Sequence, residues 1–232
     1  MPVSLSPAEL ESISDHASAG DAQLRKAFGP RVRKLHARIG RAHHQAEGMV
    51  FSRALLNGQA TPLQLVALLR ALAPAYAAIE KAAPAIAAGL GESSIPWSTL
   101  ARSAVLQQDV AALSSLPATP ASPAARDWLD QLEHLSQDAP HRLLAHVYVR
   151  YGGDLSGGQQ LAEQANGILT AHNLSAVRFW SFERDIAVLK QSLHNGFEQL
   201  QLNAEQENEL LEEAEQAFAA TQRLLAELGA MT

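Results

Sequence analysis

Apolar residues recur every three or four positions along most of the chain, which is the spacing of one buried face of an α-helix. One such stripe follows Arg31 and comprises Val32, Leu35, Ile39, His43 and Ala46, and Gly48 is expected to end the helix. Another comprises Leu210, Leu211, Ala214, Phe218, Thr221, Leu225 and Leu228. The sequence contains no stretch of alternating apolar and polar residues of the kind that predicts a β-strand. The pattern therefore predicts one all-α domain.

Capping residues predict where several helices begin. Three of them stand directly before predicted helices and are Thr61, Ser122 and Asn203. Asp138 is expected to cap a further helix that ends near Gly167. Pro96 is expected to open another helix, which continues through Val110. These boundaries divide the chain into helices joined by short loops.

Residues 143–160 depart from this regular pattern. Their apolar stripe begins as a helix, but four glycines then fall within seven residues, Gly152, Gly153, Gly157 and Gly158. In a continuous helix they would together cost about 4 kcal/mol relative to alanine. A glycine-rich turn between two helices would explain them, and so would a bent helix whose backbone lies close to a large planar ligand. A phosphate-binding loop is excluded, because the Walker spacing and its lysine are absent.

The residues around these glycines form a recognisable motif. The pattern H-x-Y-x-R-Y-x-G-D-L-S-G-G-Q, which begins at His146 and ends at Gln159, resembles the distal-helix signature of haem oxygenases. The pattern H-x-x-A-E, which begins at His43, is similar to the segment that carries the proximal histidine in that family. Tyr76 and Glu80 are similar to its Y-x-x-x-E motif. The resemblance extends over about residues 31–229.

The resemblance implies a fold, a domain organisation and a reaction. It implies a single-domain helical bundle that holds haem between a proximal helix and a glycine-bent distal helix. Residues 1–30 are then a helical extension and residues 31–232 the haem oxygenase domain. Haem is both cofactor and substrate in this family. With dioxygen and external electrons it is opened to biliverdin, carbon monoxide and ferrous iron.

The resemblance also implies which residues act directly at the haem. His43 is the expected iron ligand, although a lone inward histidine is more often an ordinary core residue, and His44 lies about 100° away around the helix. Glu47, one turn along, would pair with the other imidazole nitrogen or orient a water molecule. Asp154 would hold the waters that deliver protons, or would simply cap the second half of a bent helix. The glycines expected against the haem are Gly153, Gly157 and Gly158.

Cationic and apolar residues complete the expected haem site. Tyr148 and Lys190 match positions with which the family binds the haem propionates, but His194 stands where the family has an arginine. His36 and Gly40 stand where it has lysines, so Arg33 and Lys34 are the alternative cations. Phe218 and Thr221 match pocket-lining residues and are equally well explained as ordinary core.

Composition narrows the remaining alternatives. The 232 residues include 47% apolar residues and carry a net charge of −6, which argues against nucleic-acid binding. Because cysteine is absent, disulfides, iron–sulfur clusters and thiol catalysis are excluded. Neither a signal peptide nor a membrane span is expected, so a cytoplasmic location is predicted. A haem-trafficking protein on the same fold and a helical interaction module without haem are the two alternatives.

Expected partners follow from the same resemblance. No flavin-binding or iron–sulfur motif occurs in the sequence, so the electrons should come from a separate ferredoxin or an NAD(P)H-dependent reductase. A biliverdin acceptor such as a bacterial phytochrome would take up the product.

Overall fold

The computed structural model describes residues 28–231, and within that range every regular element is a helix. The prediction of an all-α fold is confirmed. The predicted extension, residues 1–30, falls almost entirely outside the described residues, so the domain boundary stays a prediction. The helices are α1 (Pro30–Glu47), α2 (Val50–Leu56), α3 (Pro62–Gly89), α4 (Trp97–Leu100), α5 (Ser103–Ala112), α6 (Pro123–Asp138), α7 (Pro140–Ala171), α8 (Ile186–Gln199) and α9 (Ala204–Ala230).

Helices α7 and α9 pack against each other along the middle of the bundle. Helix α9 also contacts α1, α2 and α6, and α3 packs against α5, α6 and α7. Leucine and alanine supply most of the buried surface, and the largest fully buried side chains include Trp128, Tyr76, Tyr151 and Phe51. The apolar stripes read from the sequence therefore face one continuous core.

The predicted caps are present at three helix starts. Thr61 and Asn203 each form a complete capping box, and the Ser122 hydroxyl accepts a hydrogen bond from the amide of Ala125. Asp138 does not cap α7, because that helix begins at Pro140 behind Ala139. Asp138 is instead the last residue of α6, where its carboxylate lies 2.8 Å from Nδ1 of His134.

Two further boundaries differ from the prediction. The helix expected from Pro96 through Val110 is divided into α4 and α5. The carboxylate of Glu80 causes the division by accepting the backbone amides of Arg102, at 2.5 Å, and Ser103, at 3.0 Å. Helix α7 runs to Ala171 rather than to Gly167, because the buried Ile168 and Leu169 extend its apolar face.

Helix α7 continues without interruption through its four glycines. A glycine-rich turn between two helices is therefore wrong. All four glycines lie within one 32-residue helix. They therefore make no turn, and each leaves the helix surface without a side chain at its position.

Helix α3 is also long and apolar. It is the one helix in residues 28–231 that meets the length and composition of a membrane span, with a mean hydropathy of 1.4 over its most apolar window. Of that window, 56% is buried inside the protein, and Glu80 within the helix accepts four hydrogen bonds from neighbouring groups. These contacts are typical of a core helix.

A reciprocal cap fixes the start of α1. Glu198 of α8 accepts the amide of Val32 at 2.7 Å, and the Arg31 guanidinium donates to the carbonyls of Phe197, at 2.6 Å, and Leu200, at 2.9 Å. Each helix thus satisfies unpaired backbone groups of the other. This contact sets the position of the helix that carries His43.

Candidate active site

A cavity lies between α1, α2, α3, α7 and α9. Seven of the site residues expected from the sequence line it together. They are His43, Glu47, Gly153, Asp154, Gly157, Phe218 and Thr221. Apolar side chains make up most of the remaining lining, among them Phe51, Leu55, Leu68, Leu72, Val149 and Trp180. Concave, mostly apolar cavities with a few polar groups are typical of ligand sites.

His43 lies on the α1 wall of the cavity. Its side chain is 54% exposed and packs edge-on against the Phe218 ring, with 5.9 Å between the ring centres. Its Nδ1 atom lies 3.6 Å from Oε1 of Glu47, which leaves Nε2 as the ring nitrogen free of that contact. His44 does not line the cavity, and its side chain is 92% exposed. Of the two adjacent histidines, His43 is therefore the one available to a ligand in the cavity.

The glycines of α7 differ in what surrounds them. Gly153 and Gly157 line the cavity, and a Cβ atom added to either would meet no atom within 4 Å. Gly158 does not line it, because its face is covered by Trp180, and an added Cβ would lie 3.0 Å from Cδ1 of that ring. The expected contact between Gly158 and haem is therefore replaced by close packing against Trp180. Trp180 itself lines the cavity.

Asp154 is buried at the inner end of the cavity, with 3% of its surface exposed. The Tyr76 hydroxyl donates a short hydrogen bond to its Oδ2. Arg150, one turn earlier in α7, places Nη2 at 3.8 Å from Oδ1 and donates from Nε to the Tyr76 hydroxyl at 3.2 Å. The carboxylate thus faces the cavity from a closed group of three side chains. It does not cap a helix, since α7 is continuous at this point.

Burial dominates the ionisation of this group. It raises the pKa of Asp154 above the ordinary value, against the opposing effects of Arg150, the Tyr76 hydrogen bond and Arg102. Burial also raises the pKa of Tyr76 well above its ordinary value, so the phenol keeps its proton. Tyr76 is therefore a permanent donor to Asp154, and the carboxyl is more readily protonated than one in water.

A second hydrogen-bonded pair of side chains, Tyr151 and Glu80, connects α7 and α3 one turn away from the contact between Tyr76 and Asp154. The Tyr151 hydroxyl donates to Oε1 of Glu80 at 3.0 Å, and Tyr151 packs edge-on against Tyr76 with 5.4 Å between ring centres. The same Glu80 carboxylate holds the start of α5. Tyr76 and Glu80, four residues apart on α3, thus pair with Asp154 and Tyr151, which are three residues apart on α7.

Tyr148, Lys190 and His194 do not line the cavity. Tyr148 and His194 are buried beside each other, with 6.3 Å between ring centres, and Phe28 packs on His194 at 4.7 Å. Burial, and then the charges of Lys190 and His36, lower the pKa of His194 to about 4. His194 is therefore uncharged at neutral pH. Of the alternative cations, Lys34 is engaged by Glu207 at 2.6 Å and Arg33 is exposed.

Sequence reasoning assigned no role to three residues of the site. Arg150 and Trp180 line the cavity, and Tyr76 holds Asp154. Arg150 lies inside the motif of residues 146–159 and Tyr76 begins the Y-x-x-x-E motif, so the sequence contained a signal for each of these two residues. Nothing in the sequence places Trp180 against Gly158, because 22 residues and a chain reversal separate them.

Comparisons with known proteins identify the family of this chain. The family model described as "Heme oxygenase" matches residues 32–227. The chain belongs to the heme oxygenase family. This confirms the resemblance read from the motifs and makes the chain a member of a family of haem-degrading enzymes that require an electron donor.

Individual relatives span most of the chain. A heme oxygenase from Porphyra purpurea is 26% identical over 199 residues, covering 81% of this chain and 82% of its own. A solved heme oxygenase from Leptospira interrogans is 27% identical with a TM-score of 0.76, covering 86% of this chain and all of that one. The heme complex of heme oxygenase-1 from Synechocystis sp. PCC6803 is 26% identical with a TM-score of 0.72, covering 86% and 92% of the two chains.

The residues of this cavity fit a haem. An imidazole with a free ring nitrogen stands on one helix, and two glycines with open space above them stand on another. Apolar side chains lie between, and the buried carboxyl group of Asp154 lines the same cavity. A neutral histidine is a common axial ligand of haem iron, and apolar walls suit the macrocycle.

Proposed function

We propose that this chain binds haem in the cavity of α1 and α7 and opens it to biliverdin, carbon monoxide and ferrous iron. The observation that carries the proposal is the joint presence of His43, Gly153, Gly157 and Asp154 on one cavity. The oxidant is dioxygen, and the electrons come from outside the chain. Haem supplies the iron that activates dioxygen and is also the molecule that is consumed.

His43 would hold the haem iron, with Nε2 as the ring nitrogen that does not face Glu47. Its Nδ1 faces Glu47, and a carboxylate on the far ring nitrogen orients an axial histidine and increases its basicity. With Nε2 as the ligand atom, a neutral His43 would carry its proton on Nδ1, the nitrogen that lies 3.6 Å from Glu47. Phe218 supports the imidazole ring from α9.

Gly153 and Gly157 present bare backbone to the ligand. A side chain at either position would occupy space that is open. The bare backbone of α7 would therefore let haem and dioxygen approach it closely.

Asp154 supplies protons through the waters that it holds. Tyr76 and Arg150 keep its carboxylate in place. Burial raises its pKa towards neutral pH, and an acid–base group works best when its pKa is near the working pH. A haem-trafficking protein on the same fold would need His43 and the apolar walls but not a buried carboxylate, which is costly to bury. The structure of the site therefore favours the enzyme over the carrier.

Titration with hemin followed by reduction in air separates these functions. The enzyme should give a Soret band that is lost on adding reductant, with biliverdin as the chromatographed product. A carrier would keep the band under the same conditions, and an interaction module without haem would not develop it.

A larger residue at Gly157 should block turnover without unfolding the helix. Gly157→Leu should reduce the rate of biliverdin formation by tenfold or more, because its side chain enters the open space over α7. Helix stability should rise by up to about 1 kcal/mol, since glycine is a poor helix former. The matched control is Gly152→Leu, one position outside the cavity lining on the same helix. Equal turnover by both variants would contradict the close approach of backbone and haem.

Haem orientation should depend on Lys190 more than on His194. Because the pKa of His194 is about 4, its imidazole is neutral at neutral pH and offers a propionate one donor at most. Lys190→Ala should weaken hemin binding by about 1–3 kcal/mol and broaden the biliverdin isomer mixture. His194→Arg should narrow that mixture, since a guanidinium stays charged and binds carboxylates with two hydrogen bonds. Wild-type affinity and isomer ratio in both variants would show that these residues do not reach the propionates.

We infer that the electron donor, a ferredoxin or an NAD(P)H-dependent reductase, docks on the basic side of α1. This helix carries five lysines and arginines and a single glutamate, whereas the whole chain has a net charge of −6. Three of the five cations, Arg31, Lys34 and Arg38, form ion pairs with Glu207 and Glu215 of α9. Arg33 and Arg41 are exposed on it. Exposed arginines attract an acidic partner and speed its encounter.

Charge reversal on α1 tests this docking. Arg33→Glu with Arg41→Glu should slow donor-supported turnover several-fold and leave turnover with ascorbate unchanged. The matched control is Arg126→Glu, an exposed arginine on α6. An equal loss in the control would contradict docking on α1. A biliverdin acceptor such as a bacterial phytochrome and a cytoplasmic location complete the proposal.

A further inference from the structure

A line of buried polar side chains lies outside the cavity, where α6, α7 and α9 meet. Trp128, His146 and Glu213 are each at most 1% exposed and belong to three different helices. None of them lines the cavity. His146 opens the motif of α7, and the proposed reaction gives it no task.

The hydrogen bonds of this line determine the state of His146. The Trp128 indole Nε1 lies 3.0 Å from Nδ1 of His146, and an indole N–H can only donate. Nδ1 is therefore the acceptor, so Nε2 carries the proton and donates to Oε1 of Glu213 at 3.1 Å. Glu213 also accepts Nε and Nη2 of Arg142, at 3.0 and 2.6 Å, and Nε2 of Gln131 at 2.6 Å.

Every member of the line is thereby satisfied and fixed. Burial raises the pKa of Glu213, but the His146 and Arg142 bonds outweigh it, so the pKa is lowered overall and the carboxylate stays ionised. Because ionised Glu213 can only accept, His146 keeps its proton on Nε2 and offers Nδ1 as an acceptor. The Trp128 indole N–H must then point at His146, which excludes the orientation in which the ring is flipped by about 180°. Fully satisfied buried networks specify a single side-chain arrangement in this way.

The Trp128 ring reaches the active site through Arg150. The Arg150 guanidinium lies over the Trp128 ring at 5.8 Å and over the Tyr76 ring at 5.6 Å, so it is held between two aromatic side chains. From that position it donates to the Tyr76 hydroxyl and approaches Asp154. The cations that face Asp154 are Arg150 and, at longer range, Arg102.

We infer that Trp128, His146 and Glu213 are positioning residues, which fix Arg150 against Tyr76 and so set the orientation and charge of Asp154. The inference rests on the proposed function of Asp154 and extends it to three residues that touch neither haem nor dioxygen. Without the line, the Trp128 ring could flip and the guanidinium would lose one of the two rings that hold it. Arg150 would then be a weaker partner for the carboxylate.

The haem-free protein provides the first test. His146→Leu should raise the pKa of Asp154, measured by carboxyl carbon NMR, by about half a pH unit, since the charge that lowers it is less well placed. Trp128→Phe, which removes the N–H donor, should act in the same direction. His146→Gln keeps an acceptor and a donor and should restore part of the wild-type value. In wild-type protein, the nitrogen shifts of His146 should show Nε2 protonated and Nδ1 unprotonated.

The matched control is Glu92→Gln. Glu92 is a buried carboxylate that accepts the backbone amides of Ser94 and Ile95 and has no member of this line among its partners. It should lower the melting temperature without changing the pKa of Asp154. In the hemin complexes, His146→Leu should lower the biliverdin yield several-fold at unchanged hemin affinity, and Glu92→Gln should not.

The inference would be overturned if His146→Leu and Trp128→Phe both lowered the melting temperature, as the control does, and left the pKa of Asp154 unchanged. The line would then stabilise the fold and nothing more. Because this measurement uses haem-free protein, its outcome is separate from a failure of the wild-type protein to form biliverdin.

Discussion

Asp154→Asn should reduce biliverdin formation by about 100-fold or more while hemin affinity changes less than about threefold. Asparagine keeps an acceptor for the Tyr76 hydroxyl but has neither the charge nor the exchangeable proton of a carboxyl. A positioned acid–base group contributes about 10²–10⁴-fold to a reaction. The measurements are single-turnover biliverdin yield and hemin titration.

A second buried carboxylate serves as the control for Asp154. Asp109 accepts the backbone amides of Arg178, at 2.9 Å, and Phe179, at 2.8 Å, and does not line the cavity. Asp109→Asn should lower the free energy of unfolding and leave the biliverdin yield per bound haem near the wild-type value. A wild-type yield from Asp154→Asn would instead show that the waters of the site receive protons by another route.

His43→Ala should lose the axial field of the haem iron and nearly all turnover. Among the described residues that line the cavity, His43 is the one histidine, and the His44 side chain is 92% exposed outside it. Added imidazole should enter the space left by the side chain and partly restore the absorption spectrum. The measurements are the ferric and ferrous absorption spectra and single-turnover yield, each with and without imidazole.

The neighbouring histidine supplies a matched control for that variant. His44→Ala removes the same side chain from an adjacent, 92% exposed position and should leave spectrum and turnover as in the wild type. If His43→Ala keeps the wild-type spectrum while His44→Ala loses it, His43 is not the ligand and α1 must be rotated when haem binds.

Periodicity and capping chemistry were sufficient to predict most of the bundle. The stripe from Val32 to Ala46 and the capping boxes at Thr61 and Asn203 rest on local physics, and the structure contains them as expected. His43 lies on the predicted face of α1, although it stands at an open cavity wall with half of its side chain exposed. Local patterns specify which residues share a face but not what covers that face.

The errors have long-range causes. Helices α4 and α5 are separate because Glu80, more than 20 residues earlier, accepts the amides of Arg102 and Ser103. Gly158 is covered by Trp180, which arrives from beyond the end of α7. Four glycines also do not break α7, since burial of its apolar face offsets their low helix propensity. No window of local sequence contains these partners.

The site contains a carboxyl group that burial makes less favourable to ionise. Because the pKa of Asp154 is raised in the fold, its contribution to stability is greatest below the unfolded value and is lost as the pH rises through the folded value. At neutral pH the buried Asp154 carboxylate therefore lowers the stability of the haem-free protein. Burial also raises the pKa of Asp109, so the position of Asp154 on the cavity, rather than its pKa, distinguishes the two carboxyls.

The products of one turnover test the central claim most directly. Hemin bound to the wild-type protein is reduced in air, and carbon monoxide and biliverdin are measured against the haem consumed. The account predicts about one molecule of each per haem, with the Soret band lost. A Soret band that persists, or haem that is bleached without carbon monoxide, would contradict it.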